Sequence, residues 1–250
     1  MSGATWVLLR GLTREGRHWG KFSPLLADAV AAARVIALDL PGNGALHALR
    51  SPSSVEAMAA HCRHELRRLG VAEPVHVLAM SLGAMVATAW AVAAPDEIAA
   101  AVLINTSMRP FNPFHQRLRP ANYATLLRLA LTRPSAAERE RAVLTMTSRA
   151  PGRDDTALLR DWVAYQRECP VTATNALRQL WAAACFRAPP ANPFRRALLL
   201  GSATDALVDV RCTQQLARHW SCDVRVHPSA GHDLPLDDAA WVAAQVRAWL

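Results

Sequence analysis

Two kinds of hydrophobic pattern alternate along the first hundred residues. Short continuous apolar runs occur at Trp6 to Arg10 (WVLLR), Arg34 to Leu38 (RVIAL), Val75 to Ala79 and Ala100 to Asn105. Longer stretches of helical character lie between them, at Phe22 to Ala33, Ser54 to Leu69 and Ala84 to Ala94, the last stopped by Pro95. Unbroken apolarity over so few residues predicts strands buried on both faces, the habit of a parallel sheet covered by helices. Ser23 and Pro24 read as N-cap and first helical residue of the first helix. The alternation predicts a doubly wound α/β fold with right-handed crossovers.

At Ser107 the pattern changes. Four amphipathic stretches follow, Ala121 to Leu131, Ser135 to Ser148, Asp154 to Arg167 and Val171 to Phe186, separated by joints that carry proline. The alternation then resumes with a strand at Arg196 to Gly201, a helix at Cys212 to His219, a strand at Asp223 to His227 and a helix at Ala239 to Leu250. This divides the chain into an α/β core, residues 1–106 and 191–250, and an all-helical insertion, residues 107–190, placed before the last strands.

Composition narrows the class. A chain of 250 residues that is 52% hydrophobic can bury one large core. The N-terminus has neither a basic leader nor an apolar stretch of leader length, and Met85 to Ala94 is half of what a bilayer crossing needs, so a soluble cytoplasmic protein without membrane contact is expected. The five cysteines form no CxxC pair and read as reduced. His61, His64 and Glu65 lack a further ligand, so no metal is expected. The net charge of +8 is unevenly spread: Ser107 to Pro190 holds 13 arginines against six carboxylates, a balance of +7. With few aromatics and no reading motif in that stretch, nucleic acid is not the expected partner.

The run VLAMSLGAMVA places Ser81 between a strand and a helix. Ala79 and Gly83, two residues to either side, are small enough for a sharp strand-to-helix turn that would lift the hydroxyl out of the packed layers. The same position also suits a serine that merely caps the helix, and the motif alone does not decide between the two. A serine becomes a nucleophile only beside a base, and two later loops offer partners. His232 follows the strand at Asp223 to His227, and Asp205 follows the strand at Arg196 to Gly201, with Asp209 as a fallback acid. Ser81, Asp205 and His232 thus all follow predicted strands, at the edge where open α/β sheets bind ligands.

These segments, with Asp39-Leu40-Pro41-Gly42-Asn43-Gly44 and Arg10-Gly11-Leu12, resemble the α/β-hydrolase superfamily over nearly the whole chain. The resemblance implies an α/β-hydrolase fold, a Ser81-His232-Asp205 triad, and an oxyanion hole made by the Leu12 and Leu82 N–H groups. It also implies a helical cap over the site and a carboxylic ester of small to medium acyl chain as substrate, with no cofactor. Two positions depart from the family pattern: Ala79 replaces a glycine, and Arg10 replaces the usual histidine that braces the oxyanion loop. Gly11, Met80 and Trp19 are expected at the substrate, with His18 helping to shape the pocket mouth; Met85, Trp6, Phe111, Phe114 and Trp181 are further apolar candidates. In length and spacing the chain is similar to carboxylesterases related to pimeloyl-[acyl-carrier protein] methyl ester esterase. That likeness implies an acidic acyl carrier protein as a partner for cap arginines Arg128, Arg139, Arg141, Arg149, Arg153 and Arg160; a solvated basic face is the alternative. Thioesterase, lactonase or perhydrolase chemistry would use the same triad, and a non-hydrolytic ligand-binding protein could keep the same fold.

Overall fold

The computed structural model describes residues 3–32, 34–71, 74–132, 134–149 and 156–250. Six strands form one fully parallel sheet: β1 (Thr5–Leu9), β2 (Arg34–Leu38), β3 (Val75–Met80), β4 (Ile98–Ile104), β5 (Ala197–Ser202) and β6 (Asp223–His227), in the order β2-β1-β3-β4-β5-β6. The register pairs Val7 with Ile36 on one side of β1 and with Val77 on the other. The central strands are the continuous apolar runs, and β1 is buried at every residue. Strand β2 departs from the expectation of burial on both faces: Arg34 and Ala37 are exposed, because β2 lies at the sheet edge. Strand β6, at the other edge, alternates in the same way.

Helices α1 (Phe22–Ala29) and α11 (Ala239–Trp249) cover one face, burying Phe22, Leu26, Val242 and Val246 against Leu8, Leu78 and Val102. The other face carries α2 (Val55–Arg68), α3 (Leu82–Ala93) and α9 (Arg211–Trp220), with Met58, Cys62, Trp90 and Leu216 packed on Val7, Val77 and Leu103. Each such side chain removed from water contributes roughly 1.5–3 kcal/mol, so the two layers hold the strand ends in fixed register. Ser54 caps α2 by accepting from the Ala57 N–H at 3.3 Å. Ser23 caps nothing: α1 already starts at Phe22, and Ser23 lies inside it.

Between β4 and β5 the described residues form the helices α4 (Phe114–Arg117), α5 (Tyr123–Leu131), α6 (Ala136–Thr147), α7 (Thr156–Glu168) and α8 (Ala173–Cys185), flanked by a single parallel bridge between Arg109 and Arg187. Ser135 and Glu138 close a capping box at the start of α6. The expected start of α7 at Asp154, the joint at Pro151, Arg153 and the expected end of α1 at Ala33 lie outside the described residues. After β6, the short α10 (Leu234–Asp237) precedes α11. Among the described residues no helix is long and apolar enough to cross a membrane.

Candidate functional site

The strand order reverses its direction of growth between β1 and β3, and a crevice opens at the carboxyl ends of the strands on either side of such a point. Arg10-Gly11-Leu12 leaves β1 and Ser81 leaves β3 at that crevice. Ser81 sits at φ 54°, ψ −118°, a conformation that costs a non-glycine residue about 1–3 kcal/mol. Its hydroxyl makes no capping bond, although it holds the cap position of α3, so the role of a simple helix cap does not describe it. The turn is held by the Ser81 N–H donating to the Ile104 carbonyl at 2.9 Å and by Thr106 Oγ1 donating to the Ser81 carbonyl at 3.1 Å. Gly83 is required by close approach: a Cβ there would press on the carbonyl oxygens of Leu9 and Arg10, 2.6 Å from the latter.

The backbone of Gly11 lies against the serine, with its Cβ direction pointing 3.1 Å from Ser81 Cβ. Leu82 is the first residue of α3, so its N–H has no acceptor within the helix. Among the described residues the Leu12 N–H also meets no acceptor. Leu12 lines the same cavity as Ser81, and the Leu82 N–H follows Ser81 at the positive end of a helix dipole.

His232, 3% exposed, shares a cavity lining with Ser81. Its Nδ1 lies 2.7 Å from Asp205 Oδ2, while Asp205 Oδ1 accepts the N–H groups of Leu207 and Val208 at 2.7 and 2.9 Å. The fallback acid Asp209 is turned elsewhere: it pairs with Arg211 at 2.7 Å and Arg119 at 3.5 Å, and the Arg211 hydrogen bond holds its carboxyl below the usual range. Asn105, at the end of β4, escaped the sequence reading. With φ 45°, which asparagine tolerates, it donates to the His232 carbonyl at 2.8 Å and to Ser202 Oγ at 3.0 Å, tying the histidine loop to β5. A lone asparagine ending an apolar strand was the available signal.

Arg10, the departure from the family pattern, turns out to be well braced. Its guanidinium donates to both oxygens of Asp233, at 3.0 and 2.5 Å, touches Met80 Sδ at 3.6 Å and lies 4.8 Å over the Trp19 ring. Arginine and aspartate are both 2% exposed. This bidentate pair joins the residue before Gly11 to the residue after His232 and so ties the loop after β1 to the histidine loop. Trp19, expected at the substrate, is buried behind Arg10 against Phe22 and does not line the cavity, because the guanidinium occupies the space between them.

The cavity measures about 320 Å³. Gly11, Leu12, Met80, Ser81 and His232 line it, together with leucines from the helical stretch such as Leu126, Leu129, Leu177 and Leu180. Leu207, from the loop after Asp205, and Met146 complete a mostly apolar wall. Of the further apolar candidates none lines it. Trp6 and Met85 are core residues, Phe111 stacks on His219 at 4.5 Å, and Phe114 and Trp181 point to solvent.

A second junction joins the loop after β1 to the helical stretch. Arg14 Nη1 donates to Glu140 of α6 at 2.6 Å and lies 2.9 Å from His18 Nε2, and its guanidinium covers the Trp162 ring of α7 at 4.8 Å. His18 is packed edge-on to Trp162 and Tyr165 and does not line the cavity that holds Ser81. Burial, then the Arg14 charge, pushes the His18 imidazole well below its ordinary pKa. On the far side, the turn at Asp39 to Gly44 anchors α8: Asn43 Oδ1 accepts from Gln179 at 2.7 Å, while its Nδ2 donates to the Arg14 carbonyl at 3.0 Å. Gly44 needs its φ of 49°, since a Cβ would collide with Asp39. Burial drives the thiols of Cys62 and Cys212 up to about 12, so neither is a nucleophile at neutral pH. Among the described residues no cluster of His, Cys, Asp or Glu could hold a metal ion.

A family model described as the alpha/beta hydrolase family matches residues 6–245. Among solved structures, the enol-lactonase from Burkholderia xenovorans LB400 is 18% identical, with 100% of this chain and 92% of that one aligned at a TM-score of 0.80. The thermophilic esterase from Thermogutta terrifontis is 20% identical, with coverages of 99% and 89% and a TM-score of 0.74. The 2-hydroxy-6-oxo-6-phenylhexa-2,4-dienoate hydrolase from Rhodococcus sp. strain RHA1 is 19% identical, with coverages of 98% and 89% and a TM-score of 0.77. At such identities these likenesses establish the fold. No curated protein matches the chain.

Proposed function

The chain belongs to the alpha/beta hydrolase family, and from that premise we propose that it is a serine hydrolase cleaving a carboxylic ester of small to medium acyl chain. The observation that carries the reading is the strained, uncapped Ser81 sharing a cavity with a histidine whose Nδ1 is held by a buried carboxylate. In this mechanism His232 Nε2 takes the Ser81 proton as the hydroxyl attacks the ester carbonyl. The Leu12 and Leu82 N–H groups stabilise the tetrahedral oxyanion, and His232, oriented by Asp205, returns the proton to the leaving alcohol. Water activated by His232 then releases the acid and restores Ser81. Residues 107–190 act as the cap, and its leucines receive the acyl chain. The apolar cavity favours an acyl chain over a charged acid portion.

The direct test is a fluorophosphonate probe, which reacts only with an activated serine. Wild-type protein is expected to be labelled at Ser81, Ser81→Ala to stay unlabelled, and His232→Ala to label far more slowly. Unlabelled wild type would overturn the hydrolase reading. A panel of p-nitrophenyl esters graded by chain length then ranks substrates. A methyl ester on an acidic acyl carrier protein belongs beside them, because the arginine-rich cap is where such a carrier would dock.

A further inference from the structure

Helix α8 is inverted in polarity. Of its three buried residues only Ala182 is apolar; Asn175 donates to the Leu49 carbonyl and accepts the Ser51 N–H, both at 2.9 Å, and Gln179 accepts the Thr13 N–H at 2.9 Å. Its outward positions Leu177, Leu180 and Trp181 are 60%, 41% and 64% exposed. Helix α5 buries no residue, and Leu127 and Leu131 are 60% and 72% exposed. Both helices line the cavity. Leu177 and Leu180 line it and are also exposed to solvent, as is Ala130 of α5, so apolar side chains run from the cavity wall to the surface on both helices. A helix on a water-facing surface ordinarily turns its polar side outward, and an apolar patch around a cavity mouth marks a docking surface.

The charge around the patch identifies its occupant. Arg128 is exposed on α5 between Leu127 and Leu131, Arg139 lines the cavity wall, and the whole stretch carries the positive balance noted above. A second copy of the chain would set arginine against arginine. An acidic protein would satisfy the arginines while placing its charges beside the leucines. An anionic phospholipid surface meets both demands, with phosphates for arginine and the acyl boundary for leucine and tryptophan. We propose that α5 and α8 dock this protein on an anionic phospholipid bilayer and that the cavity draws its acyl substrate from that surface. The second half rests on the serine hydrolase reading; the docking does not. The expectation of no membrane contact considered only a leader and spanning segments, and an interfacial patch leaves neither.

The test is flotation of the Ser81→Ala protein with vesicles of phosphatidylcholine alone and of equal parts phosphatidylcholine and phosphatidylglycerol. Binding is expected on the anionic vesicles, weakened about tenfold on the neutral ones and by added salt. The double substitution Leu131→Ser/Trp181→Ser, at exposed positions that do not line the cavity, is expected to lower anionic binding about tenfold or more. With Ser81 intact, that variant should keep the wild-type rate on a water-soluble short-chain ester. Failure to float with anionic vesicles, or equal flotation of the double variant, overturns the docking. A dimer that the double variant splits, without flotation, assigns the face to a second copy. Retention on an immobilised acidic acyl carrier protein, again without flotation, assigns it to a protein. Intact flotation alongside an unreactive Ser81 overturns only the substrate half.

Discussion

The carboxyl edge of the sheet and the helical stretch that faces it are built on opposite rules. At the sheet edge the polar groups around Ser81 are buried and tied: Arg10 to Asp233, His232 to Asp205, Asn105 to the histidine loop. In the facing helices, polar groups such as Asn175, Gln179 and Glu140 point inward as anchors, and leucines face the cavity and the solvent. Reactive geometry needs rigidity, which the parallel sheet and its two helical layers supply. On the proposed function, acyl recognition needs apolar surface at an opening, which a helix offers by turning apolar residues outward.

The largest expected effect falls on the rigid side. Asp205→Asn leaves the packing intact but removes the charge that orients His232, and ester turnover is expected to drop about 10⁴-fold with the melting temperature little changed. A drop of less than tenfold would assign the acid role elsewhere. Next comes Arg10→Met, which strands a buried Asp233 carboxylate. The expected cost is about 3–5 kcal/mol, read as a melting point roughly 10 °C lower. Turnover should fall through kcat more than KM, since the oxyanion loop and the histidine loop lose their common tie. Arg10→Met combined with Asp233→Leu should recover much of the stability without the kcat.

Elements that follow a single physical rule were legible from the chain. Strands β1 and β3, helix α3 and the residues ending the strands follow from unbroken apolar runs and small-residue spacing, which is why Ser81, Asp205 and His232 could be named together. Three kinds of feature were not. The partner of Arg10 lies 223 residues away, and no local pattern announces a pairing over that separation. Trp19 looked like a pocket residue because an aromatic near an oxyanion segment is ambiguous until its neighbour's rotamer is known. The helices between β4 and β5 were placed to within two residues for α5, α6 and α8, yet their apolar stripes could not reveal which side faced the core. Periodicity reports that a helix has two faces, not what lies against each.

Two smaller effects sharpen the contrast at the junction. His18 is neutral in the folded protein because its pKa is depressed, so its stability contribution is present above the unfolded value of about 6.5 and is lost as the pH falls below it. Each pH unit below that point should cost up to about 1.4 kcal/mol through this residue. His18→Gln is therefore expected to flatten the decline of melting temperature between neutral and mildly acid pH; an unchanged slope would show that another group carries it. The smallest effect on stability is a gain. Ser81→Gly relieves the positive φ and should raise stability by about 1 kcal/mol while abolishing turnover, the signature of strain kept for function.

The measurement closest to the central claim is a rapid-quench reaction with a p-nitrophenyl ester, followed by mass analysis of the peptide containing Ser81. The account predicts a burst of p-nitrophenol no larger than the enzyme concentration, the acyl group covalently on Ser81, and neither in Ser81→Ala. Turnover of the ester by the Ser81→Ala protein at the wild-type rate, or acyl transfer to any other residue, would contradict it.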